Sequence, residues 1–300
     1  MSSRTQKLGV VFLYVLFVCF FADGIQLHAQ ITVSVNPANK QDARVLLTNP
    51  AAAAVTESRV YLGYKLIYPG AIPSNTFALK ASFFNLSLPH VGHDAIATGL
   101  HGRYFTTPLF QEGRFGGSIA RELNERVAVG LDLSLLFKSY ATENFDLVDP
   151  DDPVFRGGSS VVVFDAGLGL LVQLNDKLAF AASASHLTQP NVALGDADSN
   201  LPLEALFGLS FARNFLRFDL GAHLWQKQLY PLAGAEIFSA RSGRFRLGYG
   251  LDNVAFDGQL LLRGSASLFY SFNLPTSDLG LISAGSHEIG FVYTFSPRSQ

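Results

Sequence analysis

The feature that most constrains this chain is a two-residue alternation of apolar side chains with polar or small ones. From Val127 to Phe137 every odd position is apolar, whereas the even positions are mostly small or polar. The stretch from Val162 to Val172 repeats the pattern, with Asp165 among the residues of the opposite side. Because successive side chains of a strand point to opposite faces, this period predicts strands with two different faces.

Thirteen candidate strands show this alternation. The four clean ones are Val127 to Lys138, Val162 to Val172, Leu216 to Leu224 and Leu260 to Phe272. The shorter or less regular ones are 58–67, 75–86, 94–105, 113–122, 177–187, 204–212, 230–239, 243–251 and 286–295. Several exceed the roughly nine residues that a tilted strand needs to cross a bilayer. Short turns such as Asn124-Glu125 and Asn175-Asp176 alternate with long polar connections, as on the two sides of a transmembrane barrel.

The sequence therefore predicts an all-β protein, a transmembrane antiparallel β-barrel of about 14 strands, with 12 as the alternative, because bacterial single-chain barrels have even strand numbers. A soluble β-sandwich or barrel also has alternating strands. Against it, apolar faces recur in nearly every candidate strand and aromatic residues cluster near strand ends, which predicts interfacial girdles. These aromatic residues are Tyr61, Tyr64, Tyr68, Tyr104, Phe105, Tyr230, Phe269, Tyr270, Phe272, Phe291, Tyr293 and Phe295.

The first 29 residues have the layout of a cleavable secretory signal. Arg4 and Lys7 precede an apolar run from Leu8 to Ala22, which is shorter than the roughly 20 residues of a membrane anchor, the competing interpretation. Cleavage is expected after Ala29, with Ala22 as the alternative. Cys19, the single cysteine, would leave with the signal, which excludes disulfides, cysteine metal ligands and a cysteine nucleophile from the mature chain. The predicted organisation is a signal peptide 1–29, an N-terminal periplasmic or plug segment 30–57, and a transmembrane barrel 58–300.

Composition agrees with lipid contact and argues against a nucleic-acid partner. The chain has 22 basic and 24 acidic residues, a net charge of −2, whereas nucleic-acid binding leaves a basic stripe and a high isoelectric point. Charged residues make up 15% of the chain, against roughly 25% in soluble domains. A soluble protein with so few charges would cover its surface poorly.

The sequence offers little that resembles an active site or a metal site. The run His90 to Asp94 contains two histidines and a carboxylate that could bind a metal, although a polar turn explains it more simply. The acidic run Asp146 to Asp152 could hold Ca²⁺, but it lacks the spacing of a known calcium loop. Neither Gly-x-Ser-x-Gly nor His-Glu-x-x-His occurs. We therefore expect no enzyme activity, no cofactor and no metal, with a triad assembled from distant residues left open.

Charged residues on the polar face of the candidate strands are expected to point into the barrel. Pairing across the lumen would plug it, whereas an unpaired ring would select ions. The residues assigned to this inward face are Lys80, Arg103, Asp132, Lys138, Asp165, Arg217 and Asp219.

A resemblance to a known family rests on several short elements and their order. Asn49-Pro50-Ala51 marks a turn, and the alanines that follow favour a short helix just before the first strand. The other elements are Ala29-Gln30, Phe164 to Leu170, Ala182 to Leu187, Gln189-Pro190 and the closing stretch Gly285 to Phe295. Together they resemble the PorP/SprF barrels of the type IX secretion system, or the related PorV/PorQ branch of the fatty-acid-transporter-like barrel superfamily. Val33 to Leu47 lacks the aromatic residues that PorP/SprF chains often have there, so the branch stays open.

The resemblance implies a non-enzymatic barrel of the bacterial outer membrane that helps to anchor or assemble secretion and gliding machinery. Its implied partners are outer-membrane lipid and other secretion-system or surface proteins, with no nucleic acid and no cofactor. Asn49, Pro50 and Ala51 would be a structural motif at or inside the periplasmic mouth. The alternatives are an outer-membrane transporter or channel for hydrophobic small molecules and, less favoured, an outer-membrane enzyme.

Overall fold

Fourteen antiparallel strands form a closed barrel in which each strand pairs with its sequence neighbours and the last strand pairs with the first. The structure, a computed structural model, describes residues 35–69, 79–87, 96–107, 110–141, 158–194, 198–239, 242–251, 253–262 and 265–295. Within these residues, no helix has the length and apolar character needed to cross a membrane. The predicted fold class and the expected strand number are both confirmed.

The strands differ in length from eight to sixteen residues. They are β1 (Arg59–Ile67), β2 (Leu79–Ser87), β3 (Ala97–Thr106), β4 (Phe110–Asn124), β5 (Val127–Tyr140), β6 (Ser160–Asn175), β7 (Leu178–Ser185), β8 (Glu204–Arg213), β9 (Leu216–Trp225), β10 (Gln228–Ser239), β11 (Gly243–Gly250), β12 (Asn253–Leu261), β13 (Ala266–Pro275) and β14 (Ser286–Thr294). The helical elements are short: a 3-10 helix (Val45–Leu47), α1 (Ala52–Val55) and α2 (Leu279–Ile282).

The two ends of the barrel have different connections. At the end where the chain enters β1 and leaves β14, most strands are joined by two to four residues, as at 125–126, 176–177 and 214–215. At the other end the connections include 141–159 and 186–203. Transmembrane barrels have short periplasmic turns and longer external loops, so the end with the chain termini is the periplasmic one.

One predicted strand, Leu260 to Phe272, is wrong because it spans the end of β12, a turn and most of β13. Even-numbered residues face outward in both strands, as the exposure of Phe256 and Leu268 shows, and the four residues 262–265 between the strands preserve that parity. The alternation therefore runs through the turn without a break. For this reason the sequence showed thirteen candidate strands, one fewer than the fourteen strands of the barrel.

The outer face of the wall is apolar and the inner face carries the polar residues. Leu135, Val162 and Phe164 are exposed on the outside, whereas Asp132 and Asp165 on the same strands are buried inside. Most predicted girdle residues near the barrel ends do lie outside, but several do not. Tyr61, Phe105, Tyr230 and Phe269 occupy strand positions that face the lumen, where each side chain is at most 8% exposed.

The lumen is occupied by the chain that precedes β1. Residues 35–57, called the plug segment below, reach opposite walls: Asn36 bonds to β8 and β9, Asn49 to β6 and Arg44 to β12. The core of the molecule is therefore formed by plug residues such as Val45 and Ala52 packed against inward side chains of the wall. Because a chain crosses the barrel from wall to wall, the lumen is filled rather than open.

Candidate functional site: the plugged lumen

Asn49, Pro50 and Ala51, the residues singled out from the sequence, lie inside the barrel against β5 and β6. The Asn49 side chain is fully buried. Its Oδ1 accepts the Ala51 N–H at 3.0 Å, and its Nδ2 donates to the carbonyl of Leu170 at 3.2 Å and to that of Pro37 at 3.3 Å. The first of these bonds closes a local turn of the kind asparagine favours, and the second ties the turn to the barrel wall.

Glycines in the wall make room for this turn. A Cβ at Gly169 would overlap Asn49 Oδ1, and a Cβ at Gly130 would overlap the backbone of Pro50 and Ala51. The plug backbone thus lies directly on the inner surface of β5 and β6, at a separation that only glycine permits.

A second Asn-Pro-Ala turn, not recognised in the sequence, stands thirteen residues earlier at Asn36-Pro37-Ala38. Asn36 Oδ1 accepts the Ala38 N–H at 2.8 Å, and Nδ2 donates to the carbonyls of Leu209 and Leu220 at 3.0 and 3.2 Å. A Cβ at Gly208 would overlap Asn36 Oδ1. The two turns therefore bind different parts of the wall with the same contacts. The repeat of Asn-Pro-Ala in the sequence could have revealed the turn at Asn36.

Between the two turns, an ion-pair network fixes the plug to the β10–β14 side of the wall. Arg44 donates to Asp42 and to Asp257, both at 2.9 Å, and lies 3.9 Å from Glu288. Glu288 in turn accepts a hydrogen bond from the Tyr61 hydroxyl. Burial would raise the pKa of the Asp42 carboxyl, but the charges of Arg44 and Arg244 hold that pKa well below its usual range. The pair therefore stays ionised inside the barrel.

The same network continues into the wall. Arg246 lies 3.3 Å from Asp257 and 3.7 Å from Asp219, and Asn39 of the plug donates to Asp219. Arg217 pairs with Glu236 at 2.5 Å, and Arg244 bridges Glu236 and Asp42. Opposite charges from plug and wall are thus matched in one buried cluster, which a desolvated environment requires.

A second chain of charged groups runs around the wall from β3 to β9. His101 bonds to Asp132, which Arg114 contacts at 2.6 Å. Arg114 also lies 3.7 Å from Asp165, and Asp165 bonds to His186 at 2.9 Å. Glu204 then lies between His186, at 3.8 Å, and His223, at 2.6 Å.

Most of the charges assigned to the inner face do lie there, and four of them join these networks: Asp132, Asp165, Arg217 and Asp219. Lys80 is the exception: it is exposed on the outer face, because odd-numbered residues such as Asn85 and Ser87 face inward in β2. Sequence reasoning missed several partners that complete the networks. They are Arg114, Glu204, Glu236, Arg244, Arg246, Asp257 and Glu288.

The candidate metal and calcium runs are not among the described residues. Residues 90–94 and 146–152 both lie outside the described part of the chain, as does the predicted signal peptide 1–29. Among the described residues, no group of three or more histidine, cysteine or acidic side chains is arranged to hold a metal ion. The ion pairs described above join the wall strands to one another and to the plug.

The model of the family described as "Type IX secretion system membrane protein PorP/SprF" matches residues 43–293. The chain belongs to the PorP/SprF family. It is therefore a bacterial outer-membrane barrel of a secretion-system family, and the branch left open by the sequence is the PorP-like one.

Solved structures show the same fold at low sequence identity. The Ralstonia pickettii toluene transporter TbuX is 13% identical, with a TM-score of 0.60 over 85% of this chain and 94% of that one. The CymD monoaromatic hydrocarbon channel is 14% identical, with a TM-score of 0.58 over 88% and 95%. A Pseudomonas aeruginosa FadL homologue has a TM-score of 0.54 at 11% identity, over 85% of this chain and 95% of that one. No curated protein matches the sequence. These likenesses establish the barrel architecture and nothing further.

Proposed function

We propose that this PorP/SprF barrel is a closed, non-enzymatic scaffold that holds other components of the type IX secretion machinery at the outer membrane. The observation that carries the proposal is the lumen filled by the plug segment, where Arg44, Asp42 and Asp257 form a buried cluster. A wide passage through such a lumen would require these pairs to separate. Contact with partners then falls to the rims and loops of the barrel, while the outer wall meets lipid.

The proposal extends to the parts of the chain that lead into the barrel. Residues 1–29 are removed on export, and the periplasmic or plug segment 30–57 follows them, with Asn49-Pro50-Ala51 among the wall contacts of its described part, residues 35–57. The family is one of secretion-system membrane proteins, which supports a role without catalysis. It equally supports partners that are proteins of that system, with no nucleic acid among them.

A channel for hydrophobic small molecules is the second candidate, and the fold shared with barrels described as hydrocarbon transporters favours it. The wall has one feature that such a channel could use. β6 extends beyond β7, so residues 160–167 lack a partner strand on that side. However, Leu187 N–H and Thr188 Oγ1 bond to the carbonyls of Ala166 and Phe164 across this edge. A cavity of about 80 Å³ beside His186 is also small against the roughly 300–1,000 Å³ of typical ligand sites.

One experiment separates the two candidates. A strain lacking the gene is complemented with the wild-type chain, and two quantities are measured: export of a type IX cargo protein and uptake of radiolabelled toluene. The scaffold predicts that deletion abolishes export, that complementation restores it, and that toluene uptake is the same in all strains. Unchanged export together with reduced toluene uptake in the deletion strain would reject the scaffold in favour of the channel.

A further inference from the structure

The outer face of the barrel carries a cation in an unexpected place. Lys80 is exposed on the lipid-facing side of β2 and, among the described residues, has no hydrogen bond or ion pair. Its neighbours across the strand ladders are Leu66 on β1 and Thr106 on β3. Leu66 in turn opposes His287 on β14, so His287 and Lys80 stand in the same row, separated by two strand spacings or about 10 Å.

His287 is held in a defined orientation on this outer face. The Tyr270 hydroxyl lies 2.8 Å from its Nδ1, and the ring packs against Phe272 with centroids 5.0 Å apart. We assign the Tyr270 hydroxyl as the donor to Nδ1, which leaves Nε2 as the ring nitrogen that donates. Lys80 and His287 therefore present two donors on either side of Leu66.

The row lies in the external half of the wall, above an apolar surface. Of the lysine and arginine side chains on described strands, the other two on the outer face are Arg121 and Arg213, both near the periplasmic end. Below Lys80 and His287, towards the middle of the membrane, the next two rows of the outer face are mainly apolar and aromatic. The residues of those rows from β12 to β3 are Gly258, Tyr270, Ile289, Tyr64, Ser82 and Tyr104, then Leu260, Leu268, Phe291, Leu62, Phe84 and Gly102.

Two grooves are cut into these rows, and small residues form them. The first, of about 700 Å³, lies below Tyr270 and extends to Ser242 and Gly243 at the β10–β11 turn. It includes Gly258, where an added Cβ would meet nothing within 4 Å. The second, of about 510 Å³, lies below Lys80 and includes Ser82 and Gly102. The grooves share Leu268 and Ile289, which form the ridge between them. Two apolar grooves thus lie below the row that contains Lys80 and His287.

We propose that this surface is a binding site for a phosphorylated lipid with at least two acyl chains, taken from the outer leaflet. Lys80 and the His287 Nε2–H bind the phosphate, because basic groups at the membrane boundary are what recognises anionic headgroups. The two grooves each take one acyl chain, on either side of the ridge of Leu268 and Ile289. The charge of Lys80 selects this occupant over a neutral apolar partner, which would leave the ammonium group without a counter-ion.

The test measures lipid binding to the purified full-length barrel in detergent by native mass spectrometry. The probes are dimyristoyl phosphatidic acid and dimyristoyl glycerol, which differ only in the phosphate. We expect one tightly bound phosphatidic acid per barrel and at least tenfold weaker binding of the glycerol. Equal binding of the two lipids, or a graded series of bound copies with no preferred first one, would mean a non-specific lipid coat and reject the site.

Variants locate the site. Lys80→Gln is expected to weaken phosphatidic acid binding about tenfold, as the loss of one charged hydrogen bond to phosphate would. Gly258→Leu fills open space in the first groove and is expected to weaken binding without changing the heat-modifiable gel mobility that marks a folded barrel. Arg213→Gln, which removes an outer-face cation at the opposite end, is the matched control and should leave binding unchanged. If Arg213→Gln weakens binding as much as Lys80→Gln does, or if Lys80→Gln has no effect, the proposal is wrong.

Discussion

At the scale of single residues, the two Asn-Pro-Ala turns show how a short side chain can join a loop to a wall. Asn36 and Asn49 each accept a backbone N–H two residues on and donate to carbonyls of the barrel. Both side chains are buried, so these amides have no water to replace a lost partner. The wall carbonyls that they bind would lose this hydrogen bond as well.

Replacing either asparagine by alanine should therefore destabilise the barrel. The expected loss for Asn36→Ala or Asn49→Ala is about 1–3 kcal/mol, the cost of a buried unsatisfied group. Urea unfolding of the barrel in lipid vesicles measures it. Asn191→Ala is the control and should change stability little, because the Asn191 side chain is exposed and bonds only to its own connection, donating to Asp198 and accepting the Ala193 N–H.

Wall glycines under the turns offer a complementary test in which a group is added. Gly130→Val places a side chain where Pro50 and Ala51 now lie, so the plug must move away from β5. Ala53, fully buried in the plug, reports this movement once it is changed to cysteine. We expect maleimide labelling of Ala53→Cys to be slow in the parent and faster with Gly130→Val added. Gly258→Val, at a position with open space, should leave labelling slow; fast labelling there would show that the readout is not specific to the plug.

At the scale of elements, the plug segment owes its position to charge pairing more than to helix formation. Its helical turns are three and four residues long, too short to be stable alone. Arg44 instead faces three carboxylates, Asp42, Asp257 and Glu288, inside the barrel. Removing one partner of such a cluster leaves uncompensated charge where water cannot reach it.

Arg44→Gln is expected to destabilise the barrel by about 3–5 kcal/mol, because it leaves buried carboxylates without their cation. Lys40→Gln is the control within the same segment, since Lys40 is exposed and its bond to Gln173 is at the surface. The temperature at which the folded gel band disappears should fall clearly for the first variant and stay unchanged for the second. A similar fall in both would mean that the segment is sensitive to any change of charge.

The low pKa of Asp42 sets the sign of a pH effect. A carboxyl whose pKa is lowered by folding stabilises the folded state above its unfolded pKa of about 3.9, and this contribution declines as pH falls towards the folded value. The stability difference between the wild-type chain and Asp42→Asn should therefore be constant from pH 7 to pH 5 and smaller at pH 3. Urea midpoints at these three pH values measure it, and a difference that grows towards pH 3 would contradict the assignment.

At the scale of the whole molecule, closure of the barrel depends on the pairing of β1 with β14. Leu62 and Phe291 are direct partners across this seam, on the outer face. Opposed residues of antiparallel strands have Cα atoms about 4.5–5.5 Å apart, within the range of a disulfide. Leu62→Cys with Phe291→Cys should thus oxidise to a covalently closed ring with altered mobility on a denaturing gel.

The control for the seam is Leu62→Cys with His287→Cys, because His287 opposes Leu66 and lies four residues away along β14. This pair should not cross-link in the folded barrel. Cross-linking of the control pair at the same rate would show that the register is not fixed.

The strands of the barrel wall could be predicted from the sequence because the alternation of apolar and polar side chains is a local property. Whether a side chain faces lipid or lumen follows from its parity within one strand, so Asp132 and Leu135 were placed correctly without any knowledge of neighbours. Parity failed in two ways. The alternation did not reveal the turn between β12 and β13, because the four residues of that turn keep the same alternation. The inward face was assigned wrongly at Lys80, where the sequence did not show which residues of the strand face the lumen.

The sequence predicted the plug segment only in part, for a different physical reason. The sequence singled out Asn49-Pro50-Ala51 through a resemblance, but the contacts of Asn36, Asn49 and Arg44 join residues more than a hundred positions apart. No local pattern encodes which carboxylate an arginine meets across a lumen. By itself, then, the sequence determined that the chain forms a barrel in the outer membrane, since period, length and composition suffice for that. Only the tertiary structure decided that the barrel is filled, because filling depends on charges that meet once the sheet has closed.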